Sequence, residues 1–259
     1  MAEVARPLAG RAALITGVSR LEGIGFATAH LLASQGARIA IQGFARDDPG
    51  QLGGSTTGDA VIGDLRAVDP DVVFIDADFA EAAAAERVVS AAVAARGPLD
   101  MLIANHARST LNSLDDVTAD ELDLSFAVNT RGSILLAQAF AAQHGGTHGG
   151  RIVMMTSGQG GGAMPEELAY AVSKGAIHQM TRTLAAHLMP RGITVNTINP
   201  GPTYTGWADA ATHAEVERLM PTGRWGLPAD AARLIAMLCS DDAAWVTGQV
   251  IDADGGFSL

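Results

Sequence analysis

Tyr170 and Lys174 stand four residues apart in the run YAVSK. On a helix that spacing places both side chains on one face, one turn apart. A free phenol, with a pKa of ~10, is a poor acid or base at neutral pH. An ammonium beside it stabilises the phenolate and brings proton exchange within reach. The same spacing arises where a tyrosine merely packs and a lysine is solvated, so the pair draws its weight from its surroundings. Ser157 closes the apolar run GRIVMMTS, thirteen residues before Tyr170. A hydroxyl at the end of a buried strand can hold a substrate oxygen while Tyr170 moves the proton; its plainer reading is a turn cap. Asn129, in FAVNTRG, is an amide inside an apolar helical stretch. It is either a core amide satisfied by backbone or a link that holds a water relay to Lys174.

Near the start of the chain, LITGVSRLEGIGFATAHLLA reads as a strand, a glycine-rich turn and a helix. Gly17, Gly23 and Gly25 would let the backbone approach a pyrophosphate at a helix N-terminus. Five residues separate the first two glycines, and the acidic Glu22 is among them. The pattern alone therefore fits a nucleotide turn and a plain strand–helix junction equally.

These residues need a frame. Short apolar runs alternate with longer helical patterns: strands at 12–16, 37–43, 71–78, 99–105, 150–157, 192–201 and 248–256, and helices at 24–36, 82–97, about 118–143, 167–189 and about 229–239. Strands that are apolar throughout, without alternation, are buried on both faces. Strand–helix alternation predicts a parallel sheet with right-handed crossovers. The expected fold is α/β: one doubly wound Rossmann-type domain over 1–259, with about seven strands and helices on both faces in three layers. Two segments break the rhythm. Residues 44–60 are rich in Gly, Thr and Asp, and QHGGTHGG at 143–150 joins a helix to a strand. His144 and His148 have the spacing of a helical metal pair, but Gly-Gly-Thr lies between them, so a solvated turn and no metal site is expected.

At 48% hydrophobic and 17% charged, the 259-residue chain is globular. Its formal net charge of −11 argues against nucleic acid and anionic membranes as partners. The lone cysteine, Cys239, cannot form an internal disulfide, which suits a reducing, cytoplasmic setting, and its neighbours read as a buried helix end. No apolar run reaches the ~18 residues of a membrane span.

Taken in order, the glycine turn, Asp78-Phe79, Asn105, Asn129, Ser157, Tyr170, Lys174, NPGPTYTGW and VTGQVIDADGG resemble the short-chain dehydrogenase/reductase family, from about Gly10 to Gly256. The resemblance implies a catalytic set. Tyr170 is the general acid/base, Ser157 orients the substrate oxygen, Lys174 lowers the Tyr170 pKa and binds the nicotinamide ribose, and Asn129 completes the proton relay. It also implies that Gly17, Ser19, Arg20, Gly23, Ile24, Gly25, Asp78, Phe79, Asn105, His106, Ala107, Pro200, Gly201, Thr203 and Thr205 bind the cofactor alongside Tyr170 and Lys174. Asp78 would accept from the adenine amino group, and the Pro200–Thr205 segment would hold the carboxamide.

The family form has three residues between its first two glycines. The extra pair here is Leu21-Glu22, with Glu22 expected to point to solvent. Where relatives read Asn-Asn-Ala-Gly, this chain reads Ala104-Asn105-His106-Ala107, and His106 is expected to narrow the cleft or touch substrate. NAD-preferring relatives carry Asp where this chain has Gly43; with Arg20 and Arg46 nearby, NADP(H) is expected over NAD(H), against the opposing charges of Asp47 and Asp48. The loop at about 203–222 is the variable substrate loop, with Met164, Tyr204, Trp207 and Met220 as candidate walls. A small-molecule ketone or secondary alcohol is expected, with 3-oxoacyl groups the leading subclass, in a homotetramer or homodimer. The competing readings are an NADP-binding sensor without turnover and an NAD-dependent alcohol, sugar or steroid dehydrogenase.

Overall fold

The computed structural model describes residues 6–44, 58–146 and 149–259; Arg46, Asp47, Asp48 and His148 lie outside the described residues. Seven parallel strands form one sheet in the order β3-β2-β1-β4-β5-β6-β7. They are β1 (Ala12–Ile15), β2 (Arg38–Gly43), β3 (Val73–Asp76), β4 (Met101–Ala104), β5 (Gly150–Met155), β6 (Ile193–Asn199) and β7 (Val250–Asp252). The four strands β1, β4, β5 and β6 are buried along their whole length, including the polar Arg151 of β5 and Thr194, Asn196, Thr197 and Asn199 of β6, whereas the edge strands β3 and β7 are only partly covered. The expected α/β class, doubly wound arrangement and strand count hold.

The helices are α1 (Ile24–Ser34), α2 (Gly58–Leu65), α3 (Ala84–Arg96), α4 (Ala119–Ser125), α5 (Gly132–Gln143), α6 (Leu168–Leu188), α7 (Ala210–Leu219) and α8 (Pro228–Cys239). One core packs α1, α2 and α8 on one face of the sheet, around Ile15, Leu32, Ile39, Leu65 and Ile235. The other packs α3, α5 and α6 on the opposite face, around Leu14, Val88, Leu102, Phe140 and Ile177. The sequence reading missed α2, which begins inside a stretch read as Gly-rich loop. It also read 118–143 as one helix. The structure breaks that stretch at a π-helical turn, Phe126–Arg131, between α4 and α5.

The two ends of the sheet are built differently. At the ends where strands begin, buried charges tie neighbours together. Asp69 accepts Ile39 N–H at 2.7 Å and pairs with Arg96 at 2.5 Å. Asp100 accepts Ala12 N–H at 2.9 Å. At the other end the chain leaves β1 for β2 on one side while β4 lies on the other, and this divergence opens a crevice outside the strand carboxyl ends. The residues expected to do chemistry lie at that end. No described helix is long and apolar enough to cross a membrane. His144 caps the end of α5, its ring stacked 5.8 Å from Phe140, and no metal-binding cluster is present among the described residues.

Candidate active site

Helix α6 carries Tyr170 and Lys174 one turn apart and lays them against the end of β5. Lys174 is 2% exposed. Its Nζ donates to Met155 O at 2.9 Å and lies over the Tyr170 ring, 5.7 Å from the centroid. Thr156 Oγ1 donates to Lys174 O at 3.0 Å, so strand end and helix are stapled together beside the site. Ser157 follows in extended conformation, its hydroxyl near enough to the Tyr170 phenol to favour the phenolate.

Burial pushes the Tyr170 phenol above its ordinary value; the nearby Ser157 hydroxyl acts the other way, and the Glu167 carboxylate adds to the rise. Burial alone pulls Lys174 down to about 8. The sequence argument expected Lys174 to lower the Tyr170 pKa. In this geometry the ammonium bonds a backbone carbonyl and sits over the ring face, away from any bond to the hydroxyl, and desolvation dominates both groups.

Asn129 lies in the π-turn, fully buried. Its Oδ1 accepts Arg108 N–H at 2.7 Å; its Nδ2 donates to Arg108 O at 2.9 Å and to Ser173 Oγ at 2.8 Å. The carboxamide thus clamps the segment after β4 to α6, next to Lys174. The Arg108 side chain is itself anchored on Glu121 at 2.7 Å, whose carboxyl is held down at about 2, chiefly by that guanidinium.

The glycine turn fits a dinucleotide. Gly17 has φ 71°, and a Cβ there would fall 2.7 Å from His106 Cα, so only glycine serves. Helix α1 starts after Gly23 with no side-chain cap and no acidic residue in its first turn, leaving its first N–H groups facing the turn. Leu21 packs against the core beside α1, while Glu22 is exposed, as expected for an extra pair that bulges without moving the helix start. Ser19, Arg20 and Ile24 are half-buried along the same turn. At the end of β2, the Phe74 ring occupies the space a Gly43 side chain would need, 2.7 Å from an ideal Cβ. Asp78 Oδ1 accepts Ala80 N–H at 2.8 Å and Phe79 is buried, so the β3 end is a shaped turn. Asn105 spends its amide on the glycine turn, donating to Thr16 O and Gly17 O, both at 3.1 Å. His106 is buried and Ala107 exposed. After β6, Gly201 turns at φ 59°, Thr203 pairs with Gly226, and Thr205 is half-buried.

The loop beyond carries an aromatic cluster. Tyr204 and Trp207 set their rings edge-on to Trp225, each 5.7 Å away, and His213 of α7 stacks on the same indole at 5.3 Å. Tyr204 and Trp207 are exposed and Met164 half-exposed. Met220 is not: at 4% exposure it packs beside Gly255, so it braces the C-terminal turn and forms no part of an open wall.

Four contributions escaped the sequence reading. Buried Gln42 accepts Gly17 N–H at 3.1 Å and donates to Ala77 O at 2.8 Å, joining three strand ends. Glu167, raised by its burial against the opposing influence of Ser109, acts on Tyr170 through its charge. Gln159 donates to Thr156 Oγ1 at 3.0 Å and leaves a buried Oε1 unpartnered among the described residues. Trp225 organises the aromatic loop. A polar residue in an otherwise apolar strand was the only signal for Gln42; the others carry none.

The family model described as enoyl-(acyl carrier protein) reductase matches residues 17–258. An uncharacterised oxidoreductase of Bacillus subtilis is 38% identical over 247 residues, 95% of this chain and 96% of that one. A short-chain dehydrogenase from Burkholderia cenocepacia, solved in complex with NADP, is 35% identical and superposes with a TM-score of 0.86, covering 98% of this chain and 100% of that one. A promiscuous reductase that catalyses keto-reduction at C1 in lugdunomycin biosynthesis is 33% identical, with a TM-score of 0.87, over 98% and 99% of the two chains. Sequence, topology and the placement of Ser157 beside Tyr170 agree, and the chain belongs to the short-chain dehydrogenase/reductase family, as an oxidoreductase that works with a nicotinamide cofactor.

Proposed function

We propose that the protein is an NADPH-dependent carbonyl reductase in which Tyr170 is the general acid. The observation that carries this reading is the buried Lys174 ammonium set over the Tyr170 ring, 5.7 Å from its centroid, at the open end of the sheet, with the Ser157 hydroxyl near the phenol. When bound, the cofactor supplies a hydride to the carbonyl carbon. Ser157 Oγ and Tyr170 Oη together hold the carbonyl oxygen. Tyr170 gives its proton to that oxygen as negative charge develops, and a phenol held above its ordinary pKa enters the step protonated. The Lys174 ammonium stabilises the phenolate that remains. Asn129 holds the Arg108 backbone and Ser173 Oγ, and so fixes the turn of α6 that precedes Lys174.

The preference for NADPH is supported by the end of β2, where Gly43 offers no carboxylate and Phe74 leaves no room for one, and by Arg20 in the glycine turn. The Burkholderia relative bound to NADP agrees with it. The substrate is a ketone of moderate polarity, taken against the aromatic loop at 203–222, with 3-oxoacyl groups the leading subclass; the keto-reducing relative supports the direction. The whole chain is proposed to act as one cytoplasmic domain within a homotetramer or homodimer, which the exposed Trp245, at 94%, and Phe257 near the C-terminus favour.

Initial rates over a panel of ketones and secondary alcohols, with NADPH and NADH in parallel, test the assignment. A higher kcat/KM with NADPH on at least one ketone is expected. A much higher value with NADH overturns the cofactor assignment, and no turnover with either cofactor overturns the reductase reading. Light scattering decides the assembly.

A further inference from the structure

Three consecutive carbonyls of the π-turn take three different donors. Ala127 O accepts the N–H of Gly132, five residues on. Val128 O lies 3.0 Å from His106 Nε2. Asn129 O accepts Ser133 Oγ–H at 2.7 Å. A π-turn holds one residue more than an α-turn spans, so its carbonyls fall out of step with the N–H groups that would otherwise meet them. The Ser133 bond is the ordinary back-bond of a helical serine, but Val128 O meets a side chain from outside the turn, and it belongs to the residue that departs from the family's pattern after β4.

The tautomer follows from the partners. A carbonyl can only accept, so His106 Nε2 carries the proton. Nδ1 is then bare and receives the Thr16 hydroxyl at 2.8 Å, and Thr16 Oγ1 in turn accepts Asn105 N–H at 3.0 Å. The ring is 6% exposed and lies 4.2 Å, centre to centre, from Phe79. Burial, with the Lys174 charge second, pushes its pKa down to about 3, so it stays uncharged through any working pH. Gly132 makes the space, since a Cβ there would stand 3.2 Å from Nε2.

We propose that His106 is a positioning residue: an Nε2–H imidazole strung between Thr16 at the end of β1 and Val128 O in the π-turn, which fixes the register of that turn and therefore the place of Asn129. Relaxation of the π-turn to α-helix would rotate Asn129 by about 100° around the helix axis, one residue's worth, and carry its amide away from Arg108 and Ser173. The side chain is thus not a substrate contact, and it acts on the reaction through Asn129. The same bond ties the glycine turn to the proton-relay side of the cleft.

Three substitutions separate the ring's two bonds. His106→Gln can place an amide N–H near the Nε2 position; His106→Asn reaches only the Nδ1 position; His106→Phe keeps the ring and donates nothing. For ketone reduction with NADPH, the Asn and Phe variants are expected to lose about tenfold or more in kcat, the rate equivalent of one buried hydrogen bond. The pH at which their rate begins to fall should move, while the dissociation constant for NADPH, read by its fluorescence, stays within about threefold, below the 1.4 kcal/mol of a tenfold change. The Gln variant should recover kcat to within about threefold of the parent by the same measure. A Gln variant as slow as Phe, or a Phe variant as fast as the parent, overturns the proposal.

Imidazole ¹⁵N spectra of the unsubstituted protein decide the matter even if variants fail to fold. The signal assigned by its absence in His106→Gln, or by sequential assignment, should be an Nε2–H ring that does not titrate between about pH 5 and 8, on either side of the ordinary histidine value. An Nδ1–H ring, or titration near ~6.5, overturns the proposal. Because the proposal rests on the reductase reading only where turnover is measured, absence of ketone reduction would sink that reading and leave the ring measurement standing.

Discussion

Tyr170 and Lys174 are both shifted against being charged, and that sets the expected behaviour of each. Tyr170→Phe should lower kcat/KM for ketone reduction by about 10²- to 10⁴-fold, the range of a lost general acid, with a far smaller change in NADPH binding. Lys174 is charged below about 8 and loses its charge above it. The reduction rate should accordingly hold steady below that pH and fall above it, a profile that stopped-flow or steady-state rates across pH 6–10 would read. Stability moves the opposite way. The folded-state pKa of Lys174 lies below its ordinary 10.5, so burying the charge costs most below about 8 and the cost lifts as pH rises between the two values. Lys174→Met should therefore lose activity without losing melting temperature at pH 7; a marked drop in Tm would show that the Met155 bond outweighs the desolvation it opposes.

At the scale of elements, the strands were legible because burial on both faces leaves a short apolar run, as in MLIA and IVMM. Tyr170 and Lys174 were legible because helical spacing fixes their side. The π-turn was not, since a shift of hydrogen bonding by one residue leaves no trace in composition, and FAVNTR reads as a continuation of the helical stretch around it. His106 was visible as an odd residue, but its bond to Val128 depends on that turn and could not be foreseen. Helix α2 was hidden by the glycines and threonines before it. The extra pair in the glycine turn divides in the structure: Leu21 packs against the core and Glu22 is exposed. Leu21→Ala should cost about 1 kcal/mol in urea denaturation, for part of a buried side chain, and Glu22→Gln nearly nothing. Equal effects would mean that the pair acts as a bulge with no anchor.

The whole molecule offers its own reporter. Cys239 ends α8 with no exposed surface, and burial raises its thiol to about 12. A single inert thiol at the base of one core should react with a disulfide reagent only when the molecule opens. Its labelling rate should follow urea concentration with the same midpoint as loss of helical circular dichroism; labelling well before that transition would reveal a locally mobile α8.

The order of strands also sets a schedule for the growing chain. Strand β1 is made early, yet one of its two neighbours is β4, and the glycine turn after it is held by the amide of Asn105 and by a hydroxyl that serves both Asn105 and His106. Leu14 pairs with Leu102, so the glycine turn proposed to hold the cofactor waits for residues translated long after it. While the ribosome is still working through the region between them, α1 has no braced turn in front of it. A nascent chain released at that stage would carry the glycine signature without the ability to grip a dinucleotide, and binding competence would appear late in synthesis, all at once.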